Sequence, residues 1–331
     1  MIKIVSQPQG SSLYQPLAMI FRTGGHDKRQ PVPALLAHLP YLCAMIKSAE
    51  NKPYISGIMS PSFNPDKQHT LKSAVSISGT GLHTGVMADL TLRPAAPGFG
   101  FQFQRIDLPS QPVIKADCDL VTDVSRGTTL ESNGVKVSTV EHVLAALVGM
   151  GVDNCLLEIN GPEMPIMDGS SQPFVELIEE AGVEEQDAAK VWYSIDENIY
   201  YYDEKKRVEM VAMPSVEYQV TTLIDFNSPV LGTQHAGLKH LRDFKEEIAS
   251  CRTFCFLHEL EMLLDHNLIK GGDLNNAIVI VDKPVDGAEM DRLKKIFRKE
   301  KIEVKSEGYL NNLELRFPNE PARHKLLDVV G

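Results

Sequence analysis

In the run Glu320-Pro-Ala-Arg-His-Lys-Leu-Leu-Asp-Val-Val-Gly331, His324 and Asp328 stand four residues apart. The stretch reads as helix, so both side chains leave the same face. An imidazole and a carboxylate on one face are two of the three protein ligands that a catalytic zinc uses, with the fourth position left for water. The third must come from elsewhere, and His142, in Ser138-Thr-Val-Glu-His-Val-Leu-Ala-Ala-Leu147, is the candidate. Each residue also has a plainer reading. His324 and Asp328 fit a solvated ion pair near a helix start, and His142 fits a satisfied histidine beside an apolar helix face. Ser138 followed three residues later by Glu141, ahead of an apolar run, is a capping box whose carboxylate binds the first turn.

Other motifs carry less. Gly79-Thr-Gly-Leu-His-Thr-Gly85 has the glycines of a nucleotide loop, but the spacing is wrong and a strand follows where a dinucleotide fingerprint needs a helix. Asp117-Cys-Asp119 starts like a calcium loop, yet Val121 takes the next ligand position and no glycine makes the turn. The chain has no Gly-x-Ser-x-Gly elbow for a serine hydrolase. Cys251 and Cys255 lie at helical spacing without a third soft ligand. The five cysteines are odd in number and lack a Cys-x-x-Cys pair, so they read as free thiols of a reducing cytoplasm.

The elements that would position these residues alternate between two periods. Ser73–Ser78, Ala88–Arg93 and Phe101–Gln104 alternate as half-buried antiparallel strands, with a turn at Gly79–Gly81. Val140–Val148 is apolar at helical spacing and Gly149–Gly151 ends it. Asn154–Ile159 reads as a buried strand and Gln172–Ala181 as a helix, which makes a layered α+β domain. The charged run Val183–Lys190 reads as a linker. The second half repeats the scheme. A hairpin is expected over Asn198–Tyr202 and Arg207–Val211, strands over Tyr218–Ile224 and Asn276–Asp282, and helices over Phe244–Cys251 and Ala288–Glu300.

At 331 residues two domains are the natural expectation, and 43% apolar with 23% charged residues is an ordinary globular composition. The net charge of −11, with no basic stripe, argues against nucleic acid as a partner. No apolar run reaches the ~18–20 residues of a membrane span, and the proline-broken run Pro31–Ile46 does not form one. Residues 1–58 differ from the rest, with six basic residues against two acidic, which leaves −15 on the remainder. The expectation is that Met59 is the true start and that 1–58 is upstream sequence, with a genuine N-terminal appendage as the alternative.

Taken together, the blocks resemble one family, the zinc-dependent UDP-3-O-acyl-N-acetylglucosamine deacetylase of lipid A synthesis. They run in the family's order from Ser78-Gly-Thr-Gly-Leu-His-Thr-Gly85 through Leu90-Thr-Leu-Arg-Pro94, Ser138–Leu147, Gly151-Val-Asp-Asn154 and Pro162-Glu-Met-Pro-Ile-Met-Asp-Gly-Ser170. In the second half follow Ile224-Asp-Phe-Asn227, Arg252-Thr-Phe-Cys-Phe256, Gly271-Gly272, Leu315-Arg-Phe317 and Arg323-His-Lys-Leu-Leu-Asp328. The resemblance covers roughly residues 68–331. It implies two similar α/β sandwich domains, 66–185 and 193–331, with the active site between them.

It further implies Zn²⁺ held by His142, His324 and Asp328, with Glu141 as general base and Thr253 and Lys325 contacting oxyanion or substrate. Phe254, Phe256, Leu260, Ile269, Gly272 and Ala277 resemble the wall of the passage for a fatty acyl chain, and plain core packing is the alternative for each. His83 is expected either to touch substrate or to serve structure. The implied partner is a UDP-sugar bearing a fatty acyl chain, met in the cytoplasm by a monomer without a membrane span. In the family the last helix continues through a further aspartate, followed by a segment whose histidine protonates the amine leaving group. Both are missing before Gly331, so the expectation is a C-terminally truncated chain whose last helix is frayed and whose zinc binding and activity are weak. The alternatives are an inactive remnant, a zinc amidohydrolase for another acylated sugar, or the N-terminal part of a bifunctional deacetylase/3-hydroxyacyl-acyl-carrier-protein dehydratase.

Overall fold

The computed structural model describes residues 66–331 apart from 126, 193, 194, 196, 205, 206, 261–268, 298–301 and 303–307. The expectations for residues 1–58 and for a start at Met59 lie outside the described residues. In the first half the strands are β1 (Lys67–Leu71), β2 (Val75–Thr80), β3 (Met87–Pro94), β4 (Phe101–Arg105), β5 (Val113–Lys115), β6 (Val121–Asp123), β7 (Thr129–Ser132) and β8 (Val135–Ser138). Helix α1 (Glu141–Gly149), β9 (Cys155–Ile159), α2 (Gln172–Ala181) and β10 (Val183–Ala189) complete it. A five-stranded sheet runs in the order β2-β3-β9-β4-β5, antiparallel except for β9 against β4. Its alternation is visible along β3, where Ala88, Leu90 and Leu92 point into the core and Met87 and Asp89 point out.

The second half comprises the hairpins β11 (Ile199–Asp203) with β12 (Val208–Ala212) and β13 (Val220–Asp225) with β14 (Thr233–Leu238). The short helix α3 (Phe244–Glu247), β15 (Phe254–Phe256), β16 (Ile278–Val281), α4 (Gly287–Phe297), β17 (Gly308–Tyr309) and α5 (Glu320–Val330) follow. Strands and helices segregate, so the chain is α+β. One continuous core joins the halves: Leu90, Phe103 and Leu147 from the first pack in the same cluster as Val220, Phe244 and Leu326 from the second. Among the described residues no helix is long and apolar enough to cross a membrane.

Four local expectations change. The charged run expected as a linker is strand β10, paired antiparallel with β1 with Leu71 opposite Val183. Lys67 of β1 pairs with Asp187 across the ladder, and Gln186 Nε2 donates to Ala95 O just beyond β3 at 2.8 Å. Charge alone does not separate a solvated edge strand from a linker. Helix α3 stops at Glu247: Ile248 N and Ala249 N both close on Phe244 O, Cys251 N turns back on Ile248 O, and the carbonyls of Ser250 and Cys251 accept from side chains of Arg316 and His324. Gly79 extends β2, and the turn closes one step later, where Gly85 N donates to Gly81 O.

The fourth change concerns α5. It lies against α1 and across β13 and β14. Leu326 and Leu327 are fully buried, each burial being worth about 1.5–3 kcal/mol. A Cβ on Gly331 would stand 1.9 Å from Glu141 O, so the end of α5 abuts the start of α1. Three turns of helix that would be marginal in water are therefore packed and not frayed.

The same contact density makes α1 sensitive at its other end. A Cβ on Gly149 would sit 2.1 Å from the ring of fully buried Phe244. Gly149→Ala should cost at least the ~1–3 kcal/mol typical of overpacking, read as a lowered urea midpoint at unchanged slope. An unshifted midpoint would show that Phe244 moves aside freely.

Candidate metal centre

Helix α1 begins with the pair that matters, Glu141 and His142, both buried although α1 is otherwise apolar. Helix α5 brings His324 and Asp328 alongside on one face. One ligand atom from each of His142, His324 and Asp328 lies within 4.8 Å of the others. Asp328 Oδ1 is 3.4 Å from His324 Nε2 and 3.9 Å from His142 Nε2, and the imidazoles meet edge to face at 5.1 Å. His324 Nδ1 lies 3.0 Å from Cys251 O. A carbonyl only accepts, so Nδ1 carries the hydrogen and Nε2 presents its lone pair to the cluster.

The charges suit a divalent cation. Burial, and next the neighbouring His324, pushes the His142 pKa down to about 3. Burial lowers His324 as well, against the opposing pull of Asp328. Both rings are thus neutral donors. Burial alone would raise the Asp328 carboxyl, but His324, Lys325 and His142 outweigh it and hold it below the usual carboxylate range. Among the described residues buried His142 Nδ1 has no hydrogen-bond partner, a costly state for an isolated polar atom. Two neutral nitrogens and one carboxylate oxygen, converging in a buried site, are the donor set of a catalytic zinc. The residues present fit the ion.

Glu141 does not close a capping box. Ser138 Oγ donates to Pro162 O at 3.2 Å, and the N-cap residue Val140 has no side-chain cap. The Glu141 Oε2 atom instead accepts from Thr128 N at 2.9 Å. Burial, and then the charge of Asp328, raises its pKa to about 7. Lys325 Nζ stands 2.9 Å from Asp328 Oδ2 and 5.3 Å from the centre of the Phe254 ring, which in turn lies edge-on to His324. Thr253 is held through its backbone, its N–H donating to Gly169 O and its carbonyl accepting from Ile278 N, both at 2.8 Å. Gly169 sits at φ +83° with Asn276 O where a Cβ would be, so only glycine serves there.

The remaining expected residues divide. Phe256 joins Phe254 through the ring of Phe226 and packs with Leu231, Ile278 and Ile280. Leu260 and Ile269 belong to a separate apolar cluster with Leu257 and Leu274. Gly272 N closes a turn on Ile269 O, and half-buried Ala277 precedes β16. The His83 loop is tied to that turn, since Gly271 N donates to Leu82 O. It is pinned from the other side by buried Glu163, which accepts from the backbone N–H groups of His83 and Thr84 at 2.8 Å. Sequence reasoning assigned no role to Glu163, nor to Phe226. Asp117, the start of the apparent calcium loop, caps the one-turn helix Cys118–Leu120.

A sequence model of the UDP-3-O-acyl N-acetylglycosamine deacetylase family matches residues 68–302, more than half of the chain. The chain belongs to this deacetylase family. It is 46% identical over 265 residues to a bifunctional enzyme LpxC/FabZ of Bacteroides thetaiotaomicron, covering 80% of this chain and 58% of that protein. Its similarity to the UDP-3-O-acyl-N-acetylglucosamine deacetylase of Myxococcus xanthus is 42% identity, over 80% of this chain and 76% of the relative. The corresponding enzyme of Methylococcus capsulatus is 41% identical, over 80% of each. The chain thus spans under two thirds of the length of the bifunctional relative. The deacetylase match contains Glu141, His142 and Thr253, whereas α5 lies beyond residue 302. The packing of α5 on α1 is what brings His324, Lys325 and Asp328 to them.

Proposed function

We propose that the chain is a zinc-dependent hydrolase that removes the N-acetyl group from UDP-3-O-acyl-N-acetylglucosamine in the cytoplasmic synthesis of lipid A. The observation that carries this reading is the buried His142, His324 and Asp328 cluster with the Glu141 carboxylate beside it, in a chain of the deacetylase family. The same reading treats residues 66–185 and 193–331 as two similar sandwiches whose helices α1 and α5 meet at the site, with a single chain as the working unit. The relatives named bifunctional fit the alternative of the N-terminal part of a bifunctional deacetylase/dehydratase.

His142, His324 and Asp328 would hold the zinc. When bound, the ion supplies a Lewis acid that polarises the acetamide carbonyl and acidifies water. Glu141 takes the proton of the attacking water and passes it to the nitrogen as the C–N bond breaks, leaving acetate and the amine. Its carboxylate is fixed by Thr128 N and shielded from solvent, so little reorganisation is needed at that moment. The Lys325 ammonium and the Thr253 hydroxyl are the groups to offset charge developing on the acetamide oxygen. Phe254 beside Lys325 and Phe256 behind it offer the acyl chain an apolar wall.

The test is direct. The zinc-loaded chain, given UDP-3-O-acyl-N-acetylglucosamine, should release acetate and the free amine in equal amounts, detected by mass spectrometry, and a chelator should stop it. Absence of amine at stoichiometric zinc would favour the alternative of a chain that binds zinc without turnover. Faster turnover of a different acylated sugar would reassign the substrate.

A further inference from the structure

The segment Ala249–Thr253 lies as a strap between the two helices that supply the metal ligands. On one side it holds the loop Gly169–Ser171 ahead of α2, which is bonded in turn to α1. Ser171 N donates to Ala249 O at 2.9 Å, Ser171 Oγ donates to His142 O at 2.7 Å, and Thr253 N donates to Gly169 O at 2.8 Å. On the other side it is bonded to α5 and its approach. Ser250 O accepts from Arg316 Nη1 at 2.7 Å and Cys251 O meets His324 Nδ1 at 3.0 Å.

Arg252 makes the strongest of these links, to Glu320. The Glu320 carboxylate is wholly buried and accepts four hydrogen bonds. Oε1 takes Arg252 N at 3.0 Å and Arg252 Nε at 2.8 Å, and Oε2 takes Arg252 Nη2 at 3.0 Å and Arg316 N at 2.6 Å. The guanidinium fork and the carboxylate plane thereby fix each other in angle as well as distance. Glu320 is the first residue of α5 and stands four residues ahead of His324, as His324 does ahead of Asp328, so all three share one helical face.

We propose that Arg252 and Glu320 are positioning residues of the metal centre, an ion pair that sets the rotation of α5 and so aims His324 and Asp328 at His142. A buried ion pair contributes little net stability against apolar residues of similar size, because desolvation offsets the attraction, yet it admits few geometries. That balance suits a part whose task is orientation. The pair also places the Cys251 carbonyl that fixes the His324 tautomer and the neighbouring Thr253. Rotating α5 by one residue's worth, about 100°, would carry both ligands out of the cluster.

The inference rests on the reading of His142, His324 and Asp328 as metal ligands, and cobalt(II) separates the two. Its visible absorption reports the number and arrangement of ligands without turnover. The proteins compared are the unaltered 331-residue chain, Arg252→Lys, and the double variant Arg252→Met with Glu320→Leu, which removes both buried charges together. Phe103→Leu, in the distant sheet core, serves as a destabilised control. The double variant should melt cooperatively but bind cobalt about 10- to 100-fold more weakly, the usual effect of losing a group that orients a ligand, with shifted bands. Arg252→Lys, which keeps the charge and loses the fork, should fall between. Phe103→Leu should lose melting temperature and keep the spectrum. A folded double variant with unaltered cobalt affinity and bands overturns the proposal, as does failure of both Arg252 variants to melt cooperatively, which would make the pair a requirement of the fold alone. An unaltered chain that takes up no cobalt overturns the metal reading, and this inference with it.

Discussion

His142→Ala and Asp328→Ala should each abolish stoichiometric zinc binding. Each removes one of three converging donors, and the loss of a direct ligand exceeds the ~10- to 100-fold penalty for losing a group that only orients one. The two substitutions differ instructively in their electrostatics. His142→Ala takes away a neutral ring and leaves Asp328 with His324 and Lys325, so the apo fold should hold. Asp328→Ala removes the carboxylate that Lys325 Nζ approaches at 2.9 Å. That lysine is partly exposed, so its ammonium can turn to water, and the cost should stay well under the ~3–5 kcal/mol of breaking a fully buried pair. Asp328→Asn, which keeps the shape and loses the charge, should retain the fold and lose most of the zinc. Elemental analysis after dialysis against a weak chelator decides the matter. Zinc retained at one per chain in either alanine variant would remove that residue from the ligand set.

The proposed ligands were legible to very different degrees. His324 and Asp328 share a helix, and spacing alone puts them on one face. His142 stands 182 residues earlier in the chain than His324, and no local pattern connects them. Only the order of the blocks in a family resemblance proposed the trio. Helix α2 was readable to the residue, because Ser171, Pro173 and Gly182 punctuate a strongly amphipathic stretch. Helix α3 was not, since what ends it is tertiary. The Arg316 and His324 side chains hold the carbonyls of Ser250 and Cys251 in the turns that follow it. The misreading of β10 has the same origin, because its partner β1 lies over a hundred residues away and supplies the hydrogen bonds that make it a strand.

Glu141 shows the limit most clearly. A serine followed three residues later by a glutamate is good evidence for a cap, and it predicts the helix start almost correctly. The carboxylate nonetheless faces inward, because Thr128 N and the space left by Gly127, whose Cβ would come within 3.1 Å of Glu141 Oε1, receive it there. Burying a carboxylate beside another one, Asp328, is unfavourable. Such a local conflict is characteristic of residues kept for chemistry and not for stability.

That conflict gives the sharpest expected result. Glu141→Gln keeps the shape of the side chain and an oxygen for Thr128 N, while it removes a buried negative charge. The fold should therefore survive, and the zinc content should stay near one per chain, because Glu141 is not among the three donors. Deacetylation should fall by about 10²-fold or more, the range lost when a positioned base is removed. The loss should appear in kcat with little change in KM, since the carboxylate acts on the attacking water and not on substrate binding. A joint loss of zinc and activity would instead place Glu141 among the ligands. Turnover equal to the unaltered chain, with zinc intact, would leave Glu141 as packing for the Thr128 amide and require another base among the groups around Asp328. The two outcomes separate on one preparation, because metal content and kcat are measured on the same protein.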